Sequence, residues 1–421
     1  MEKTASQLLE LLSIAMGTKK DRNDIPDIDW NRMYELAEIH NVIPMIYEAA
    51  LNKDTLLPVS KQLTSTWRKM AVGISFNQMY RTLEFLQIYE KLNYAGISVL
   101  VVKGIVCRQL YPNPYFRSSG DEDVYIKKTD FNQVDGIFRS SGLIRETNIG
   151  KASTPEQVTT YRCPKTGLMI ELHIDLFSRE SELFEPLNSY FDNVFDDYVT
   201  IHIDGISVHS LSHSRHLLFL VLHSIKHFLN NGFGIRQVSD IVMYCNTYGS
   251  EIDWDLLWRQ LTELGYETFL LNLLDIGSKY LGLNPDKIVF PETWSESDIH
   301  SEELLEDIIK AGIFGKNEPG QVKTGSMTLG AVYDYRRLGK IYETRHKIIF
   351  RSLLPGYEYM GSHYPYCRKH RILLPVAWLH RIIRYAMEEK KPAKMLKKAG
   401  NSFDIGKKRI DLLRQYNIIG R

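Results

Sequence analysis

Three acidic residues are placed where they could hold a divalent cation against a phosphate: Asp121, Asp123 and Glu171. Asp121 and Asp123 are two apart at the start of a predicted strand, Asp123 to Lys127. The two-residue period of a strand puts both carboxylates on one face and Glu122 on the other. Like charges brought together are costly unless a cation neutralises them. Hard oxygen donors in this arrangement suit Mg²⁺, with Mn²⁺ as a substitute, and such an ion also takes phosphate oxygens and water. Glu171 lies in a later predicted strand between Ile170 and Leu172, whose side chains face away from it. An acidic group on an inner strand needs a partner, and a metal supplies one. An Asp-x-Asp pair also occurs in solvated turns and as a helix cap. Here it follows a buried-strand run ending in Lys103-Gly104 and precedes an apolar-flanked glutamate.

These residues need a sheet to hold them. Ser98 to Val102 is a β-branched and leucine run bounded by Gly96 and Gly104, which predicts a buried strand. Thr129 is the expected N-cap of a helix through Arg139 that stops at Ser140-Ser141-Gly142. Two further strands are predicted, Val158 to Cys163 and Leu168 to Leu176, joined by a turn at Pro164-Lys165-Thr166-Gly167. Before this insert the chain reads as helical, with Asp29 and Ser60 as N-caps. Trp67, Met70, Ile74, Tyr80, Leu83 and Leu86 recur at near-helical spacing and predict a core-facing stripe. The expected class is α+β: a small sheet with flanking helices, embedded in a mainly helical chain. The expected divisions are a helical segment 1–95, an α+β core 96–205, and a helical region 206–421 with a basic tail.

Composition allows a buried site and excludes several classes. The chain has 421 residues, 44% hydrophobic and 24% charged, with 15 prolines. Such a length predicts more than one packed unit, and such a composition is that of an ordinary folded chain. A net charge of +1 gives no whole-protein argument for nucleic acid. Cys107, Cys163, Cys245 and Cys367 have no paired spacing, so neither a zinc ribbon nor a disulfide framework is indicated and a reducing cytoplasm is expected. There is no signal-peptide pattern at the start and no uncharged run long enough to span a bilayer.

Three blocks carry a resemblance: Gly96-Ile97-Ser98-Val99-Leu100-Val101-Val102-Lys103-Gly104 with Leu110-Tyr111-Pro112; Arg117 with Gly120-Asp121-Glu122-Asp123-Val124-Tyr125-Ile126; and Ile170-Glu171-Leu172-His173. The chain resembles the polymerase-β-like nucleotidyltransferases, and within them the branch of uncharacterised nucleotidyltransferases. Weaker similarity continues through Leu222 to His227 and Leu373 to Arg381. The resemblance implies a polymerase-β-like sheet in which Asp121 and Asp123 hold Mg²⁺ on an NTP. It further implies that Glu171 completes the metal site and helps activate an acceptor hydroxyl for attack on the α-phosphate, with pyrophosphate leaving. Gly104 would allow backbone approach to phosphate, and Lys103 and Arg117 would balance its charge. The acceptor is expected to be a small molecule rather than protein or RNA. A non-catalytic NTP-binding or interaction protein that keeps the fold is the other reading. Two features depart from the wider superfamily. Ile105 follows Gly104 where Ser or Gly is usual, and Glu122 replaces the usual apolar residue, which implies that this position is paired or exposed.

Other groups are read as ordinary structure. His223 and His227 are one helical turn apart but lack the nearby glutamate of a zinc protease. His209, His213 and His216 surround a helix start at Ser212. Arg236 and Asp240 have the spacing of a helix-surface pair. Ile252-Asp253-Trp254 echoes Ile28-Asp29-Trp30 as a reusable capped helix start. The basic tail contains Arg336, Arg337, Lys340, Arg345, Lys347, Arg351, Arg368, Lys369, Arg371, Arg381 and Arg384. It admits nucleic-acid contact or membrane-surface contact through Val376, Leu379, Ile382 and Ile383. The preferred reading is a packed domain in which those apolar residues cover other helices.

Overall fold

The computed structural model describes residues 1–19, 27–50, 59–146, 157–230, 232–291, 299–312, 321–339, 354, 356, 357, 360, 361, 364–388 and 406–420. Four helices come first: α1 (Lys3–Ala15), α2 (Trp30–Ile39), α3 (Ile43–Ala50) and α4 (Lys61–Tyr94). Their starts follow the sequence. The Asp29 carboxylate accepts from the backbone N–H groups of Asn31 and Arg32, and Ser60 Oγ accepts from that of Leu63. These bonds satisfy amides that a helix start leaves without partners.

The strands are β1 (Val99–Val101), β2 (Glu122–Ile126), β3 (Ile144–Arg145), β4 (Val158–Arg162), β5 (Met169–His173), β6 (Tyr198–Ile203) and β7 (Ile206–Leu211). Between them lie α5 (Ile105–Arg108) and α6 (Phe131–Ser140). They form one mixed sheet of order β3-β4-β5-β2-β1-β7-β6. β1 runs antiparallel to β2, whereas β2 runs parallel to β5. The four predicted strands are present, each within a few residues of its expected bounds. Thr129 does not cap α6: residues 128–130 form a 3₁₀ turn, and the helix begins after it.

One face of the sheet is covered. Val99, Val101, Val124, Ile126, Tyr161, Ile170, Leu172 and Val208 are buried there. Tyr161 packs edge-on against Phe138 of α6, and its hydroxyl donates to Asp135 at 2.6 Å. From α4, the Tyr89 hydroxyl donates to the Val99 carbonyl at 2.7 Å and accepts from the His209 amide. The face that α4 turns inward matches the expected stripe only in part: Trp67 and Leu86 are buried and Ile74 is half-buried. Met70, Tyr80 and Leu83 are exposed, while Gln78 and Thr82 are buried beside Phe85, Leu86 and Tyr89. The reason is polar: Gln78 Oε1 accepts from the Ser119 amide at 2.8 Å, and Thr82 Oγ1 accepts from Arg108. An apolar periodicity does not register such partners.

Glu122 is neither core-packed nor exposed. On the covered face of β2 it accepts from Arg108 Nη2 and from the Ile105 amide, both at 2.6 Å. Burial pushes its carboxyl above the usual carboxylate range, against the opposing pull of Arg108 and the Ile105 N–H. Gly104 sits directly beneath it, with φ 67° and ψ −113°. A Cβ at this position would overlap Glu122 Oε2 and lie 2.8 Å from its Cδ. Glycine is therefore required twice here, by backbone conformation and by the buried carboxylate.

The chain divides into two compact units. The first comprises residues 1–221, 238–257 and 277–290 and includes the whole sheet. The second comprises 222–237, 258–276 and 291–421. The remaining helices are α7 (His213–Asn230), α8 (Ile235–Tyr248), α9 (Trp254–Leu264), α10 (Glu267–Ile276), α11 (Ser301–Ala311), α12 (Gln321–Leu338), α13 (Pro365–Lys369) and α14 (Leu374–Glu388). In the second unit Phe228, Phe269 and Tyr416 form an aromatic core, and buried Arg409 pairs with Asp307 at 3.0 Å. Val376, Leu379, Ile382 and Ile383 of α14 are exposed, contrary to the covering role expected of them. The buried side of that helix is instead Ala377, packed with Met360, Tyr364 and Cys367. Lys340, Arg345, Lys347 and Arg351 of the basic stretch lie outside the described residues, as do the side chains of Arg368 and Lys369.

Replacing Gly104 with Ala is expected to lower unfolding free energy by about 2–4 kcal/mol, from positive-φ strain and displacement of Glu122. Urea titration checks this. A loss under about 0.5 kcal/mol, the range of an ordinary surface change, would contradict the account of the turn.

Candidate functional site

The face of the sheet opposite Glu122 carries Asp123, Glu171 and His173. Asp123 of β2 lies directly opposite Glu171 of β5, and Glu171 opposite Thr160 of β4. In the next row Tyr125 is opposite His173, and Leu100 opposite both Tyr125 and His209. Residues in register across a sheet share a face, on strands about 4.8 Å apart. Asp123 and His173 are buried, whereas the Glu171 side chain keeps 32% of its surface exposed.

The three groups meet at their tips. His173 Nε2 lies 3.0 Å from Asp123 Oδ1 and 3.8 Å from Glu171 Oε2. One donor atom from each of Asp123, Glu171 and His173 falls within 4.8 Å of the others. Two carboxylate oxygens and an imidazole nitrogen form a donor set that fits a divalent cation. Asp121 is half-buried one residue before β2 begins and is not part of that close set. Ladder pairing does not extend to it, so strand alternation does not fix its side chain. His173 closes the Ile170-Glu171-Leu172-His173 block. Its two-residue spacing from Glu171 was the available signal.

A loop tied down by buried polar groups leads into Asp121. Arg117 Nε donates to Asp240 Oδ1 at 3.0 Å, its Nη2 donates to Oδ2, and the Tyr111 hydroxyl donates to Oδ1 at 2.8 Å. Burial works to lower the Arg117 pKa, but Asp240 outweighs it and the guanidinium stays charged. Asp240 is thus a buried partner of the loop, and it and Arg236 are both buried where a helix-surface position was expected. Ser119 accepts from Arg108 through its hydroxyl, and Ser118 Oγ donates to the Asn41 carbonyl at 3.1 Å.

Among the expected phosphate-side residues, Lys103 is half-buried at the turn after β1. Gly104 faces Glu122 and the Asp121 carbonyl. Arg117 gives two of its nitrogens to Asp240, and its buried Nη1 has no hydrogen-bond partner among the described residues. The end of β1 is held by His216 at the start of α7, whose Nε2 donates to the Val102 carbonyl at 2.9 Å. His213 stacks on Tyr248 and shares Tyr244 with His216, and His209 Nδ1 lies 3.0 Å from Thr200 Oγ1. All four cysteines are free and buried. A cleft of about 340 Å³ opens at the start of β1, lined by Phe195, Tyr198 and His209 among others, away from the Asp123 and Glu171 side chains.

A family model described as uncharacterised nucleotidyltransferase matches residues 26–282, more than half of the chain. No curated protein matches. A solved structure described as an antigenic nucleotidyltransferase-like protein from Paracoccidioides brasiliensis is similar at 17% identity and a TM-score of 0.32. The similarity covers 48% of this chain and 92% of that one. No described helix is long and apolar enough to cross a membrane.

Burial pushes the His216 pKa from its ordinary 6.5 down to about 4. Below pH 6.5 the unfolded chain therefore takes up a proton that the folded chain does not, and stability falls until the pH reaches about 4. Between pH 7.5 and 5 this one group should remove about 2 kcal/mol. Urea denaturation of wild type and His216→Gln at both pH values checks it: the variant should lose less stability on acidification. Equal losses would contradict the assignment.

Proposed function

Because the chain belongs to the uncharacterised nucleotidyltransferase family, we propose that it moves a nucleoside monophosphate from an NTP to an acceptor hydroxyl on a small molecule. The observation that carries this reading is the register of Asp123 against Glu171 on the same face of the sheet. Parallel pairing of distant strands brings two carboxylates together with only partial exposure to water. Two carboxylates so placed, with an imidazole beside them, form a donor set suited to a cation.

Asp121, Asp123 and Glu171 would hold Mg²⁺ or Mn²⁺. A bound ion neutralises triphosphate charge and polarises the α-phosphate. Asp123 is oriented by the 3.0 Å contact with His173. Glu171 is the most accessible of the close donors, so it can meet an incoming acceptor and take the proton of its hydroxyl. The acceptor oxygen then bonds to the α-phosphorus, the α–β phosphoanhydride breaks, and pyrophosphate leaves. Lys103 stands beside the same turn and would offset phosphate charge. Arg117 would contribute chiefly by holding the loop before Asp121, since its guanidinium is engaged with Asp240.

The test incubates the protein with Mg²⁺ or Mn²⁺, each α-labelled NTP in turn, and a panel of small hydroxyl acceptors. Wild type should transfer label, and Asp121→Ala/Asp123→Ala should lose about a thousand-fold, corresponding to roughly 4 kcal/mol. Transfer that survives the double substitution would remove these residues from the reaction. Failure of any NTP to bind would remove the nucleotide reading itself.

A further inference from the structure

We propose that His173 is a metal ligand, and that its nitrogen biases the site towards a first-row transition ion such as Mn²⁺ over Mg²⁺. The proposal rests on the cation-dependent reading above. It adds a donor that an Asp, Asp, Glu set does not contain.

The geometry favours ligation over simple support. One nitrogen, Nε2, faces both carboxylates, at 3.0 Å from Asp123 and 3.8 Å from Glu171. A separation of roughly 3 Å is the distance between neighbouring donors around an ion with bonds of about 2.1 Å. Nε2 is thus the ring nitrogen turned to the carboxylates, while Nδ1 is buried without a hydrogen-bond partner among the described residues. The backbone fixes its place as well. His173 is two residues beyond Glu171 on β5, and its strand partner Tyr125 is two beyond Asp123 on β2. The imidazole therefore projects from the same sheet face as the carboxylates, and reaching them requires no change of register.

The chemistry follows from the donor. Mg²⁺ selects oxygen ligands and retains water, whereas imidazole nitrogen suits first-row transition ions. Replacing one oxygen by nitrogen weakens the site for Mg²⁺ relative to Mn²⁺, which still accepts carboxylate and phosphate oxygen.

The test is spectroscopic and needs no acceptor. Mn²⁺ is bound to the full-length protein in the presence of a non-hydrolysable NTP analogue. Electron spin-echo modulation then reports whether ¹⁴N lies in the coordination shell. Wild type should show imidazole modulation, and His173→Gln should lose it while retaining bound Mn²⁺. In competition titrations, wild type should prefer Mn²⁺ over Mg²⁺ by at least about ten-fold more than His173→Gln does. Bound Mn²⁺ without ¹⁴N modulation in wild type, or modulation unchanged in the variant, would overturn the proposal and leave the Asp and Glu site standing. If neither ion binds wild type even with the nucleotide analogue, the cation-dependent reading falls together with this one.

Discussion

Glu122 is a carboxylate set among apolar residues on the covered face of an inner strand, and the arrangement around it depends on how its charge is met. Arg108 and the Ile105 amide meet it from the helix that follows Gly104. This locks the β1–α5 turn onto β2. Removing one partner from a buried pair costs about 3–5 kcal/mol, because the charge left behind has no water to turn to. Arg108 reaches further, to Ser119 in the loop before Asp121 and to Thr82 in α4. A single buried ion pair thus ties together a turn, a strand, a loop and the long helix. Because the period of a strand is two, fixing Glu122 inward fixes Asp123 outward.

The same division of faces separates support from chemistry. On the covered side, apolar residues and internally paired polar ones hold the sheet against α4 and α6. On the other side, Asp123, Glu171 and His173 gather their tips, with Glu171 the least buried of the three. Asp240 holds Arg117 and Tyr111 ahead of Asp121, and His216 holds the end of β1. This architecture belongs to a chain of the uncharacterised nucleotidyltransferase family.

Part of the sheet was legible in the sequence, most plainly β1, a β-branched and leucine run bounded by Gly96 and Gly104. The predicted strands carrying Asp123 and Glu171 exist where the pattern placed them. Their pairing was not legible, since a parallel register between residues 48 positions apart leaves no local trace. The hairpin of β6 and β7 did leave one: alternating residues flank Asp204-Gly205, which adopt φ 48° and 81°, the signature of a tight hairpin turn. The inward face of α4 was misread in part, for a different reason. Gln78 and Thr82 are buried because the loop before Asp121 and the Arg108 guanidinium need acceptors, which a hydrophobic pattern cannot reveal. Glu122 shows the converse: its charge marked it as unusual, but only the structure identifies Arg108 as its partner.

A triphosphate held by Asp123 and Glu171 would be visible in a crystal structure with an α,β-methylene NTP and Mn²⁺, the ion located by its anomalous scattering. Anomalous density should lie within coordination distance of both carboxylates and of the analogue's phosphate oxygens. An analogue bound elsewhere, with Asp123 and Glu171 touching neither ion nor phosphate, would contradict this placement.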